Sequence, residues 1–228
     1  MTVALSSRPD GHEAVLEARG RGAQLICLPH LSFVPYVAAR RDRAGLEHAQ
    51  RAPARSYRQA LEAADGAWLA ASTYESEGEG VFYVTARLAR AGDERIAYRQ
   101  INVEAALGRF EQMFWSPGHW PLKVAETPWG PTALLVGYDL RAPAVWAQLA
   151  GSGARVVLGG CSEPAELWRR TRRVAAGMAG AYGLTVLLAN REGVEQETEF
   201  AGGAGAYGPD GESLQPRADG LYELELVR

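Results

Sequence analysis

Cys161 is the residue best placed to do chemistry on its own account, because it closes the apolar run Ala154–Gly160. Strand ends are where reactive groups are built in open α/β sheets. The competing account is a small buried thiol, which is the more frequent role of a free cysteine, and it is preferred here. Cys27 sits inside the strand-like run Gln24–Pro29 and reads as core. His30 follows that run directly, and an imidazole with an ordinary pKa of about 6.5 can move protons near neutrality. His12, His48 and His119 are scattered without ligand spacing, so no metal is expected. The runs Arg40–Arg43 and Trp168–Arg173 are basic, but they lack the aromatic interleaving of a nucleic-acid site, and they read as solvated surface. A net charge of −3 argues against nucleic acid and anionic membranes as partners. The glycines of Ala201–Gly208 do not open a helix after a strand, so no nucleotide cofactor is expected.

The elements that must position such groups alternate along the chain. Short apolar or β-branched runs predict strands at Thr2–Ser7, Gln24–Pro29, Ala67–Tyr74, Gly80–Ala89 and Arg95–Val103, then within Thr127–Leu140, at Ala154–Gly160 and at Leu184–Asn190. Two more are predicted near Ala201–Tyr207 and Leu221–Val227, joined by the turn Pro209–Gly211. Helices are predicted over His12–Arg21, Arg55–Ala64, Ala142–Gly151 and Glu163–Tyr182. The mixture predicts an α/β protein with helices packed on the outer faces of sheets. With 228 residues, 47% of them hydrophobic, residues 1–228 are read as one domain. No run reaches the roughly 18 to 20 apolar residues of a membrane span. The first residues lack a basic segment followed by an apolar one, and the expected compartment is the cytoplasm.

Three segments, in order, resemble the motifs of the nitrilase, or carbon–nitrogen hydrolase, superfamily. Leu25–Tyr36 is similar to the family's apolar strand, Pro-Glu and later Tyr: Pro29 and Tyr36 fit, while His30 stands where the general-base glutamate belongs. Tyr98–Val103 resembles Tyr-Arg-Lys followed by His-Leu, with Gln100 in place of the lysine. Leu134–Trp146 resembles the nucleophile elbow: Tyr138, Asp139, Leu140, Arg141 and Pro143 match, but Gly137 replaces the cysteine and Ala144 a later glutamate. Phe110–Gly118 is similar to the stretch carrying an auxiliary glutamate, here Glu111. The resemblance runs from about Thr2 to about Leu214 and implies a four-layer αββα sandwich. It also implies a homodimer paired through the helices of one face.

In the family the cysteine attacks a nitrile or amide carbon, the glutamate moves protons, and the lysine stabilises the oxyanion. Gly137 has no side chain to attack with, and Gln100 carries no charge. The expectation is a pseudoenzyme that binds a small amide- or carboxylate-like ligand or a partner protein. The backbone N–H of Tyr138, which the resemblance places in the oxyanion hole, is a residual anion contact, and Glu111 is a contact for a substrate-like amine. Asp139 is expected to hold the elbow turn locally. Because the chain is shorter than typical members, a more open pocket is expected. Two alternatives stand beside this reading: a diverged amidohydrolase working through Cys161 or a water activated by His30, and a structural subunit that accompanies an active homologue.

Overall fold

A computed structural model describes residues 1–41, 53–78, 80–106, 108–119, 122–195 and 197–224. The first half runs β1 (Thr2–Leu5), α1 (Gly11–Gly20), β2 (Leu25–Cys27), α2 (Pro53–Ala63), β3 (Trp68–Ser76), β4 (Phe82–Arg90) and β5 (Asp93–Arg99). Short pieces follow: β6 (Ala105–Ala106), β7 (Arg109–Phe110) and β8 (Val124–Ala125). The second half runs β9 (Thr132–Val136), α3 (Pro143–Gly151), β10 (Val156–Cys161), α4 (Ala165–Tyr182), β11 (Thr185–Asn190), β12 (Glu192–Glu195), β13 (Thr198–Ala201), β14 (Ala204–Tyr207) and β15 (Leu221–Glu223).

Two sheets result, with orders β15-β1-β2-β3-β4-β5 and β14-β11-β10-β9-β8. Parallel pairing within β1-β2-β3 and within β9-β10-β11 requires helical crossovers, and the helices cover the outer faces. Ala14 and Val15 of α1 and Ala60 of α2 pack with Ile26, Leu28 and Leu69 on one outer face. Trp168, Ala175 and Ala179 of α4 pack against the other sheet, and Leu25, Val84, Leu135 and Val157 lie in the same continuous core. The layers are therefore α, β, β, α, as expected. Local signals agree with the helix limits. Asp10 caps α1 by accepting from the backbone N–H of His12 and Glu13 at 3.0 and 3.1 Å. Gly183, at φ +65°, ends α4 in the left-handed conformation.

Four expectations change. The strand predicted to Val103 stops at Arg99, because the N–H groups of Ile101 and Asn102 go to the Asp139 carboxylate instead of to a neighbouring strand. The hairpin β12–β13 was not anticipated, since its sequence is acidic. The Pro209–Gly211 turn does not join two paired strands: β14 lies in one sheet, and β15 pairs antiparallel with β1 in the other. The predicted strand to Val227 reaches Glu223, and residues 225–228, like Arg43 and His48, lie outside the described residues. Among the described residues no helix is long and apolar enough to cross a membrane.

β10 must approach the other sheet's loops closely. A Cβ at Gly160 would lie 2.9 Å from both the His30 nitrogen and the Leu28 oxygen, which are backbone atoms with little room to move. Gly160→Ala is therefore expected to lower stability by about 1–3 kcal/mol in urea unfolding. Gly177→Ala, which meets nothing within 4 Å on α4, should be neutral or stabilising by up to about 1 kcal/mol. Equal behaviour of the two variants would refute the close approach.

Candidate active site

His30, Gln100 and Gly137 stand just past the ends of β2, β5 and β9, so strand ends from both sheets deliver them to one region. Gly137 opens a 3-10 turn (Gly137–Arg141) at φ +58°, a conformation that favours glycine. A Cβ built there would lie 3.1 Å from Gln100 Nε2 and 3.2 Å from its Cδ and Oε1. The Gln100 amide thus occupies the space that a side chain at position 137 would enter.

Asp139 joins the two motifs. Its Oδ2 accepts from the Tyr98 hydroxyl and from Ile101 N at 2.8 Å, and its Oδ1 accepts from Asn102 N and Nδ2, both at 2.7 Å. The carboxylate therefore grips the strand end that carries Gln100, a longer reach than the local turn contact expected. Burial pushes its pKa up to about 6, against the pull of bonds from Tyr98, Ile101 and Asn102.

Glu111 also meets Gln100. Its Oε2 accepts from Gln100 Nε2 at 2.9 Å and from Glu104 N at 3.0 Å. Its Oε1 accepts from the Tyr36 hydroxyl at 2.9 Å and from Arg109 at 3.3 Å. Burial raises its pKa, opposed by the Arg109 charge. A second donation, to Asn102 O at 2.7 Å, occupies the other Gln100 N–H, and Oε1 has no partner among the described residues.

His30 is fully buried, and among the described residues neither ring nitrogen has a hydrogen-bond partner. Its ring sits edge-on to Tyr36 and Trp115, with centroids 6.0 and 6.2 Å away. Burial, then Arg109 and Arg191, hold its pKa well below 6.5, so it is a neutral imidazole and a poor proton acceptor at neutral pH. Cys161 is fully buried, and burial, then Glu163, push its thiol well up. Cys27 is pushed up to about 12 by burial. Neither thiol is a thiolate near neutrality. Tyr138 is half-buried, with the Arg141 guanidinium 4.7 Å above its ring.

Apart from Arg141, which the elbow motif had named without a role, the buried ions around this cluster were not flagged by the sequence. Arg109 pairs with Glu104 and Glu111 and donates to Ser162 O at 2.8 Å. Arg141 pairs with Glu104 at 2.9 Å and with Glu163 at 3.1 Å. Arg191 pairs with Glu195 and donates to the carbonyls of Leu31 at 2.8 Å, Val34 at 3.2 Å and His30 at 3.3 Å. That clamp accompanies a non-glycine residue at positive φ, Leu31 at 57°. Arg191 directly follows a buried strand, which was the one available hint in the sequence.

The more open pocket expected from chain length is not found. His30, Gln100, Gly137 and Glu111 are all buried. Tyr36, Trp115 and the Gln100 amide fill the interior, and Phe200 of β13 covers Tyr36 at 5.6 Å. A cavity of about 590 Å³ lies outside, lined by Arg109, the first turn of α4 and β13. Arg109 forms part of the wall between that cavity and the cluster. Among the described residues no group of three His, Cys, Asp or Glu is placed to hold a metal.

A family profile described as Carbon-nitrogen hydrolase matches residues 9–221. The chain belongs to the carbon–nitrogen hydrolase family. Its fold is that of the nitrilase superfamily. An amidase from Nesterenkonia sp. is 26% identical, aligned over 97% of this chain and 88% of its own, with a TM-score of 0.77. A carbon-nitrogen hydrolase from Helicobacter pylori G27 shares the fold at 19% identity over 93% of this chain and 82% of its own, with a TM-score of 0.76. So does a glutamine-dependent NAD+ synthetase from Acinetobacter baumannii, at 19% identity over 97% of this chain and 44% of its own, with a TM-score of 0.80. No curated protein matches the sequence.

Asp139→Ala leaves four buried or half-buried donors without their acceptor and unties the Gln100 segment from the elbow. The expected loss is about 2–4 kcal/mol in urea unfolding, and a loss under about 1 kcal/mol would show that the clamp is dispensable.

Proposed function

We propose that this chain is a catalytically silent carbon–nitrogen hydrolase homologue that acts by binding a protein partner. The carrying observation is the packing of the Gln100 amide against Gly137: the nucleophile's position has no side chain, and its space is taken. The lysine's positive charge is missing at Gln100, and the base position holds a buried neutral imidazole. The family reaction needs all three functions together. In a glutamate-to-leucine mutant of the Nesterenkonia amidase the active-site cysteine shows covalent addition of the acetamide moiety of fluoroacetamide. Position 137 here cannot form such a bond.

Burial of the cluster favours a protein partner over a small amide- or carboxylate-like ligand in the former pocket. The alternative of hydrolysis through Cys161 or His30 is weakened by the same burial and by the protonated thiol. Homodimerisation is part of the proposal. The outward face of α3 shows Pro143, Ala144, Ala147, Gln148 and Gly151, none of them charged, so a second copy can cover it without stranding ions. The third reading, a subunit beside an active homologue, would use the same face. Two unpaired thiols, Cys27 and Cys161, fit the proposed cytoplasmic location.

Assays of purified protein against amides, nitriles and carbamoylated amines should release no ammonia above background. Turnover by the native chain that disappears when Gln100 or Glu111 is changed would overturn the proposal. Gly137→Cys alone should stay silent, and its new thiol should resist alkylation in the folded protein, because it meets Gln100 inside a closed site. Light scattering should give twice the 24.6 kDa chain mass, and Ala147→Glu should return it to one chain mass. A native monomer would remove the dimer from the proposal.

A further inference from the structure

His30 belongs to a loop, Pro29–Tyr36, that is held by a specific set of bonds, among them Gly11 N to Ser32 O at 2.7 Å. Arg191 binds three of its carbonyls, Ser162 Oγ donates to His30 O at 2.9 Å, and His30 N donates to Cys161 O at 3.3 Å. Ser72 Oγ accepts from Leu31 N at 2.9 Å, and Glu195 accepts from Tyr36 N at 2.9 Å. The second seal is Arg109, which walls off the outer cavity and bonds the carbonyl of Ser162, the residue that supports His30.

Both seals are therefore guanidinium groups, and both lie close enough to His30 to disfavour charge on its ring. The titratable and charged groups around the ring are Tyr36 on its own loop, Tyr74 on β3 behind Trp115, Arg109 and Glu111, Cys161 at the end of β10, and Arg191 with Glu195. The carboxylates are already engaged. Glu111 accepts from four donors, and Glu195 takes Arg191 and Tyr36 N. Among the described residues no acceptor contacts either imidazole nitrogen in the closed form.

We propose that His30 is an acid-sensitive latch on the closed site, whose protonation puts a third positive charge beside Arg109 and Arg191 and releases the Pro29–Tyr36 loop. The step is a simple proton uptake from solvent, with no bond to carbon made or broken. It is independent of whether the chain is catalytic, because it concerns access to the cluster and not turnover.

The sign follows from linkage. A ring that resists protonation when closed, but titrates near 6.5 when the loop is open, stabilises closure above about pH 6.5. That contribution is lost as pH falls below it. Glu111, Glu163 and Asp139 have raised pKa values, which favour the folded form on acidification, so total stability would mask the effect. The test is a comparison in which the carboxylates cancel. Amide hydrogen exchange of residues 30–34 and 36 is followed from pH 7.5 to 5.5 in the native protein and in His30→Gln, each corrected for intrinsic exchange. The loop-opening constant should rise by up to about tenfold per pH unit below about 6.5 in the native protein, and stay flat in the variant. An equal rise in both proteins, or none in the native one, would overturn the latch. His30→Leu, similar in bulk and without a titrating group, serves the same purpose where His30→Gln does not fold.

Discussion

The arrangement depends on one buried carboxylate. Asp139 sits on the turn after β9 in one sheet and accepts four hydrogen bonds from the strand end after β5 in the other. It therefore fixes both the relative position of the two sheets at this end and the register of Gln100 against Gly137. A carboxylate taken out of water is costly unless its oxygens are fully satisfied, and here each takes two donors. With that clamp in place, the Gln100 amide lies beside the glycine, held by Asn102 O and Glu111.

That packing fills the space beside Gly137 with a polar side chain. A buried void costs stability in proportion to its volume, so the space over the glycine is better filled than left empty. Glutamine at position 100 fills it and keeps hydrogen-bonding capacity toward Glu111 and Asn102. The surrounding ions are a different matter. Arg109, Arg141 and Arg191 are paired with Glu104, Glu111, Glu163 and Glu195, and such buried pairs are weak evidence of net stabilisation. Their visible effect is geometric: Arg191 holds the loop that carries His30, and Arg109 closes the wall toward the outer cavity.

Much of the fold was legible because it follows from apolar runs with clear ends. Gln24–Pro29, Ala154–Gly160 and Leu184–Asn190 became β2, β10 and β11 with shifts of a few residues, and α4 ended at its glycine. The family's motifs, read in order, named His30, Gln100 and Gly137, and the structure packs the Gln100 amide beside Gly137. The acidic hairpin β12–β13 was not legible, because Glu192, Glu195, Glu197 and Glu199 look like solvated surface. Its placement rests instead on Phe200 packing over Tyr36 and on Arg191 pairing with Glu195. The burial of Arg109 and Arg141 was equally hidden, since their shared partner Glu104 lies five and 37 positions away. Nor could chain length show whether the pocket had opened or closed. Closure is set by side-chain contacts among Tyr36, Trp115 and Phe200, which are far apart in sequence.

That His30, Gln100, Gly137 and Glu111 form a closed interior holding an uncharged histidine is tested most directly by a nitrogen-resolved NMR titration of the His30 imidazole in the native protein. The account predicts that the ring shows neutral shifts throughout pH 8 to 7, and that it does not share the midpoint near 6.5 of a solvated histidine. A ring that titrates with that ordinary midpoint while the fold stays intact would mean the site is open to water, and would contradict the account.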